Sequence, residues 1–237
     1  MIVFDGHDIE SLFVCGDPEI TVFSFENELR PLKGGGSAFA GGRMASTSVS
    51  FAAAAIGSAQ ERRAAISTLG SWLDVDSPKW LCLPDMPDWQ YLAIPDGAVD
   101  LSRHIDGEDF TLTFLLVDPV AYGMERTVTV PSGGSVTFMV EGTHPTYPKI
   151  TANAVRNSTS LVWGLKLDEV DFIHVATGNA SARSVALDCK ERTCVVNSSV
   201  SLPTLDSDWL EFTPGKHTLR MDNGTGAATV TFVERWL

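Results

Sequence analysis

The histidines are the side chains of this sequence best suited to metal binding or proton transfer, and they are scattered. They occur singly, without the spacing that places two imidazoles on one metal ion: His7, His104, His144, His174 and His217. A G-x-S-x-G turn, which would present a nucleophilic serine, is absent from the sequence. We therefore expect the histidines on the surface or in turns. No catalytic residue, no metal site and no cofactor is expected.

An aspartate near the middle of the chain offers a second candidate for chemistry. Asp118 follows an apolar run in FLLVDPVAYG. It could be a catalytic acid at the mouth of a barrel, or a turn residue where one domain ends. Nothing in the sequence marks a partner for it, and the proline after it cannot donate to a strand ladder. We predict a domain junction at Asp118, Pro119 and Gly123, with Gly123 freeing the chain to turn. The predicted domains are residues 1–122 and 123–237.

The tryptophans of the second half could bind sugars. Trp163 and Trp209, helped by Phe212 and Trp236, could form a stacking platform. Aromatic residues at strand positions more often fill a core, and the sequence favours that interpretation. A sugar platform at Trp163 and Trp209 remains the weaker alternative.

The cysteines Cys189 and Cys194 flank the stretch KERT and could face each other across a hairpin. Two free strand thiols are the favoured interpretation, because the N-terminus lacks a signal-peptide pattern and the cytoplasm keeps thiols reduced. A disulfide between them stays open.

Charge argues against one class of partner. The net charge is −13. Residues 1–123 carry 18 acids and 7 bases, and residues 124–237 carry 12 acids and 10 bases. An acidic chain without a basic stripe is poorly suited to binding a phosphate backbone. Sequence-specific nucleic-acid binding is therefore not expected. No apolar run reaches the ~18 residues of a transmembrane helix, so no membrane insertion is expected either.

The hydrophobic pattern predicts a mainly β protein of two domains. In the run FTLTFLLV, Phe110, Leu112, Phe114 and Leu116 share one face by period two. One helix is predicted over residues 59–73, where Ser58 and Glu61 form a capping box. Short β runs separated by turn signals fill the second half and predict an antiparallel sandwich or jelly roll. No long helix is predicted there.

A glycine-rich segment lies between the early strands and the helix. It contains five glycines in nine residues, which we expect not to support a regular element by themselves: Gly34, Gly35, Gly36, Gly41 and Gly42. No Gly-Lys-Ser/Thr follows, so it is not a nucleotide-binding loop. It is either a flexible surface loop or an arm that orders against a neighbouring subunit.

The order of landmarks resembles the distal tail protein (Dit) family of siphophages and prophages of Gram-positive bacteria. The first half shows a Trp-Leu helix end, a Pro-Asp step with a tyrosine, and an Asp-Pro after its last strand. The second half shows a Gly-Thr start, an apolar-Asp hairpin, and a tryptophan followed by Pro-Gly. The matching positions span nearly the whole chain: Trp72-Leu73, Pro84-Asp85, Asp88, Tyr91, Asp118-Pro119, Gly142-Thr143, Pro148, Leu187-Asp188, Trp209, Phe212 and Pro214-Gly215.

The resemblance implies a structural role without enzyme activity. Family members form hexameric rings at the tail tip. A tail-tube-like β domain with one packed helix makes the ring, and a galectin-like or jelly-roll sandwich follows it. The implied partners are further copies of the chain, the tail tube protein, the tail-tip (tail-associated) protein and a receptor-binding or side-fibre protein. The implied location is the virion tail tip, after assembly in the bacterial host cytoplasm. The alternative is a carbohydrate- or receptor-binding module that acts through the C-terminal sandwich.

Overall fold

The computed structural model describes residues 1–21, 23–103, 107–155, 161–177 and 183–237. It divides into two units, Met1–Ala121 and Tyr122–Leu237. Strands make up nearly all regular structure, and the described residues contain a single α-helix. The predicted mainly β class is confirmed.

The first unit is an antiparallel sheet with short flanking strands. After β2 a 3₁₀ turn covers Ile9–Ser11. The elements in chain order are β1 (Val3–Phe4), β2 (His7–Asp8), β3 (Val14–Cys15), β4 (Glu19–Ile20), β5 (Phe25–Pro31), β6 (Ser37–Met44), β7 (Thr47–Ile56), α1 (Ala59–Leu73), β8 (Lys79–Leu83), β9 (Met86–Asp96), β10 (Ser102–Arg103) and β11 (Gly107–Leu116). Strand β11 pairs with β7 on one side and with β9 on the other. Strand β8 joins β9 to β1.

Strand β11 shows why this sheet holds together. Its side chains alternate as the sequence predicted: Phe110, Leu112, Phe114 and Leu116 are buried, whereas Thr111 is exposed. The Phe114 ring packs against Phe4 and Phe51, with centroids 4.9 and 6.1 Å away. Burial of one large apolar side chain stabilises a fold by about 1.5–3 kcal/mol, so this face contributes much of the stability of the first unit.

Helix α1 begins and ends where the sequence predicts. The backbone N–H of Ser58 donates to Glu61 Oε2 over 2.8 Å, and the N–H of Glu61 donates to Ser58 Oγ over 3.3 Å. These bonds satisfy two N–H groups that the helix itself leaves unpaired. They also hold the pKa of Glu61 below its ordinary value, chiefly through the bond from the Ser58 backbone. Among the apolar side chains of α1, Leu69 is fully buried, and the others on its face are half-buried: Ala65, Ile66, Trp72 and Leu73.

The second unit is a two-sheet sandwich, as predicted. Its strands are β12 (Ala121–Val130), β13 (Ser135–Val140), β14 (Lys149–Ala154), β15 (Val162–Leu167), β16 (Asp171–Ala176), β17 (Arg183–Asp188), β18 (Thr193–Val196), β19 (Ser199–Ser201), β20 (Gly215–Asn223) and β21 (Ala228–Trp236). One sheet has the order β19-β18-β17-β14-β21-β12, and the other has the order β13-β20-β15-β16. The inward side chains of both sheets share one core, which includes Ile150, Trp163, Leu165, Phe212 and Val230.

Candidate assembly surfaces

The glycine-rich segment forms half of a β-hairpin. Within the described parts of the chain, strands β5 and β6 pair only with each other and make a separate two-stranded sheet, which we call the arm, Phe25–Met44. At its tip the N–H of Gly35 donates to Leu32 O over 3.1 Å, and the N–H of Leu32 donates to Gly36 O over 3.0 Å. At its base the N–H of Ala45 donates to Ser24 O over 2.8 Å. The arm therefore leaves the first unit and returns to it at one point.

Gly41 and Gly42 lie in β6, so this part of the glycine-rich segment forms a regular strand through its pairing with β5. Strand β5 supplies the paired backbone that a glycine-rich strand cannot supply alone. A Cβ on Gly42 would lie 2.5 Å from Asn27 Oδ1, the end of an exposed side chain that can rotate away. Gly34, Gly35 and Gly36 lie in the tip, where Gly35 and Gly36 have φ of +91° and +80°.

The arm exposes apolar side chains on all sides. Every residue of β5 is exposed, and Phe39 on β6 is 67% exposed. Leu29 and Leu32 are also more than half exposed, as are Phe23 and Phe25 at its base. An isolated two-stranded hairpin is marginally stable in water. A hairpin that exposes so many large apolar groups is typical of a surface that another protein covers.

The three residues predicted to form the domain junction lie in two different kinds of structure. Asp118 and Pro119 lie in the bend between β11 and β12, next to the boundary between the two units. Gly123 does not turn the chain, because it lies inside β12. A Cβ there would lie 3.1 Å from Trp236 Nε1, so Gly123 allows a close approach to the last strand. The predicted turn at Gly123 is wrong.

The proposed sugar platform fails at one of its two tryptophans. Trp163 is 0% exposed and lies in the sandwich core, so its ring cannot stack on a sugar. Trp209 is half-buried and packs against the same core. The core interpretation that the sequence favoured is the correct one for Trp163.

Two histidines are not the surface or turn residues that the sequence predicted. His217 is 7% exposed, and its ring bridges two oxygen atoms: Nδ1 lies 2.6 Å from Asp168 Oδ2 and Nε2 lies 2.6 Å from Thr213 O. His174 is largely buried, and its Nε2 lies 2.7 Å from Asp222 Oδ2. Their aspartates lie 49 and 48 residues away along the chain, so the pairs could not be found from local spacing. His7 is exposed, and His104 lies outside the described residues.

The His217–Asp168 pair holds a turn with unusual backbone geometry. Asp168 and Glu169 join β15 to β16 with φ of +48° and +61°, a region that side chains other than glycine rarely adopt. Asp168 Oδ1 accepts the N–H of Thr218 over 2.7 Å, and Glu169 binds Arg220 through both carboxylate oxygens. Partial burial opposes ionisation of Asp168, but the bonds from Thr218 and His217 lower its pKa below the ordinary value. These contacts fasten the turn to β20, and they form no catalytic arrangement.

The cysteines are free thiols. Cys189 and Cys194 are both buried, and no disulfide joins them. Burial raises the pKa of Cys189 to about 12, which makes its thiol unreactive near neutral pH.

Among the described residues, no group of three or more histidine, cysteine, aspartate or glutamate side chains is arranged to hold a metal ion. No helix in these described segments is long and apolar enough to cross a membrane.

Two comparisons with known proteins relate this chain to phage tail proteins. Residues 141–236 match the siphovirus-type tail component, C-terminal domain. The distal tail protein of Bacillus phage SPP1 is 24% identical over 246 residues, a match that covers 100% of this chain and 95% of that protein. Both matches support the distal tail protein (Dit) family as the group of proteins that this chain resembles.

A solved structure shares the fold. The crystal structure of SPP1 Dit, described there as a paradigm of hub adsorption apparatus in phages that infect Gram-positive bacteria, superposes with a TM-score of 0.82 at 21% identity. The match covers 100% of this chain and 98% of SPP1 Dit. A chain of the phage P2 baseplate in its activated conformation with Ca gives a TM-score of 0.46 at 6% identity, over 92% of this chain and 90% of that one.

Proposed function

We propose that this protein is the structural hub of a phage or prophage tail tip. Its copies form a hexameric ring that joins the tail tube protein to the tail-tip protein and to receptor-binding or side-fibre components. The first unit makes the ring, and the C-terminal sandwich serves as the outer attachment module. The observation that carries this proposal is the match to the SPP1 distal tail protein along the full length of both chains.

The arm is the part of the chain that we assign to contacts between copies. Gly34, Gly35 and Gly36 form its tip, where Gly35 and Gly36 adopt positive φ, and Gly41 and Gly42 lie in its second strand. A head-to-tail contact between identical subunits closes into a ring when the rotation between them fits. The exposed phenylalanine and leucine side chains of the arm supply the apolar area for such a contact.

The remaining expectations about partners and location belong to this proposal. The hub acts without catalysis and without a cofactor, and it binds no nucleic acid sequence-specifically. It is assembled in the bacterial host cytoplasm and resides in the virion tail. The sugar-binding alternative is less favoured, because Trp163, one of its two candidate tryptophans, is buried.

Mass photometry and negative-stain electron microscopy of the purified chain test the ring. We expect particles of six copies with sixfold symmetry, in equilibrium with monomer at low concentration. A chain that stays monomeric at high concentration, and that also fails to form rings when mixed with its tail tube and tail-tip proteins, would refute the hexameric hub.

A further inference from the structure

The first unit contains a cavity of about 490 Å³, open to solvent, where α1 ends. The turn between β1 and β2 forms one wall, the last turn of α1 forms another, and the start of β8 closes the third side. The cavity is lined by Asp5, His7, Ser71, Trp72, Asp74 and Lys79, among others.

The cavity is suited to a cation. Asp5, Asp74 and Asp76 supply three carboxylates, and the one lysine, Lys79, is 3.8 Å from Asp5. The C-terminal end of a helix carries partial negative charge, and the last turn of α1 has no basic residue to balance it. An ammonium group entering here would gain attraction from several sides.

The cavity also has an aromatic wall. The rings of His7 and Trp72 stack with centroids 4.7 Å apart and planes inclined by 5°. A flat aromatic surface next to carboxylates fits a lysine, because the aliphatic stem can pack on the ring while the ammonium group reaches the acids.

The arm carries a cation of the matching kind at its tip. Its two arginines are already paired within the arm: Arg43 lies 2.7 Å from Glu26, and Arg30 lies 3.3 Å from Glu28. Lys33 is exposed in the tip and forms no ion pair with any residue in the described part of the chain. It does not line the cavity of its own chain.

We infer that Lys33 at the arm tip of one copy inserts into the cavity at the end of α1 in the next copy. Charge complementarity identifies the occupant as a second copy, because the tip is basic where the cavity is acidic. The inference rests on the proposed ring and names the two surfaces that meet in it. A projection on one side and a cavity on the other give a head-to-tail contact, the kind that builds rings.

Charge reversal tests the pairing. Lys33→Asp should raise the concentration needed for half-maximal ring formation by about tenfold or more, because like charges brought together at an interface repel each other. The double variant Asp74→Lys with Asp76→Lys should do the same. Combining all three substitutions should restore assembly to within about threefold of the wild-type concentration, since each reversed cavity then faces a reversed tip. Lys216→Asp, which replaces an exposed lysine of the sandwich, is the matched control and should assemble like wild type.

A zero-length carbodiimide cross-link gives an independent readout. Rings assembled from a mixture of ¹⁵N-labelled and unlabelled chains should yield a peptide that joins Lys33 to Asp74 or Asp76, with one label on each side. Circular dichroism and a melting curve for each variant confirm that it is folded.

The outcomes separate this inference from the proposed function. Rings that form normally with Lys33→Asp, or that lack the cross-link between labelled and unlabelled chains, would overturn the pairing and leave the hub intact. A failure of the triple variant to recover assembly, while both reversed partners are folded, would also overturn it. A wild-type chain that forms no ring in any of these assays would instead refute the hub itself.

Discussion

Gly164 lies in the middle of β15, and the His174 ring of the neighbouring strand lies where its side chain would be. A Cβ added there would clash with His174 Cδ2 and with the Ile173 carbonyl oxygen. We expect Gly164→Ala to lower the free energy of unfolding by about 1–3 kcal/mol, the usual cost of overpacking. Urea unfolding followed by circular dichroism measures it.

Gly70 provides the matched control, since it lies in α1 with open space around it. Gly70→Ala should raise the stability by up to about 1 kcal/mol, because alanine is the better helix former. If the two substitutions changed the free energy of unfolding equally, the crowding at Gly164 and the open space at Gly70 would not determine stability.

The Asp168 carboxylate should make the sandwich sensitive to acid. Its pKa is lowered in the folded state, so its contribution to stability is complete above the ordinary value of 3.8 and is lost as pH falls through the lower folded value. We expect Asp168→Asn to reduce stability at pH 7 and to flatten its decline below pH 3.8. Melting temperatures measured across the acid range test this.

Asp171 offers a comparison because it is exposed at the start of β16. Asp171→Asn should leave the acid profile close to that of wild type. If Asp168→Asn follows wild type as closely, the bonds from His217 and Thr218 do not stabilise the turn.

The thiols give a prediction about reactivity. Cys189 and Cys194 should resist iodoacetamide in the native protein and react fully in denaturant, because both are buried as free thiols. Mass spectrometry of labelled peptides distinguishes them from the less buried Cys15 and Cys82. A native protein in which these two cysteines stay unlabelled even after denaturation would indicate the disulfide instead.

Whether a residue's role could be predicted depends on how far along the chain its contact partner lies. The capping box of Ser58 and Glu61 could be predicted because both partners belong to one helical turn. Gly123 and His217 could not, because Trp236 and Asp168 reach them only after the chain has folded. A short stretch of sequence predicts contacts within one element. Contacts between distant strands, which determine the roles of Gly123 and His217, are seen only in the folded structure.

At the scale of elements, the arm should be dispensable for folding and required for assembly. Its two ends lie next to each other, because the backbone N–H of Ala45 donates a hydrogen bond to Ser24 O. A short Gly-Ser linker can therefore replace Phe25–Met44. None of the residues removed is fully buried, and we expect the free energy of unfolding to change by no more than about 1 kcal/mol. Mass photometry should show that ring formation is lost. A shortened chain that still assembles would assign the contact to another surface.

The elements themselves could largely be predicted where the apolar pattern is strong. Strand β11 follows its period of two, and α1 begins at its predicted capping box. The arm could not be predicted as a hairpin, because β6 contains glycines and its strand character depends on pairing with β5. Its exposed apolar residues also give no periodic signal, since neither side of the hairpin faces a core.

At the scale of the whole molecule, the division near residue 121 predicts independent folding of the sandwich. The unit Tyr122–Leu237 has its own core between two sheets. Expressed alone, residues 122–237 should melt cooperatively and remain monomeric, because the arm belongs to the other unit. Near-ultraviolet circular dichroism and sedimentation measure these properties. A fragment without a cooperative transition would show that the domain boundaries predicted from the sequence, after residue 122, do not separate autonomous domains.

The composition of the arm has a consequence for how the free chain is handled in the cell. Both outer edges of a two-stranded sheet offer unpaired backbone groups, and such edges can recruit other chains into aggregates. Here charged residues interrupt the apolar ones: Glu26, Glu28, Arg30 and Arg43 alternate with the phenylalanines and leucines. Charged residues that flank exposed apolar strands reduce the tendency of those strands to aggregate. The same side chains that keep a newly made subunit soluble thus restrict the arm to partners whose surface can accommodate those charges.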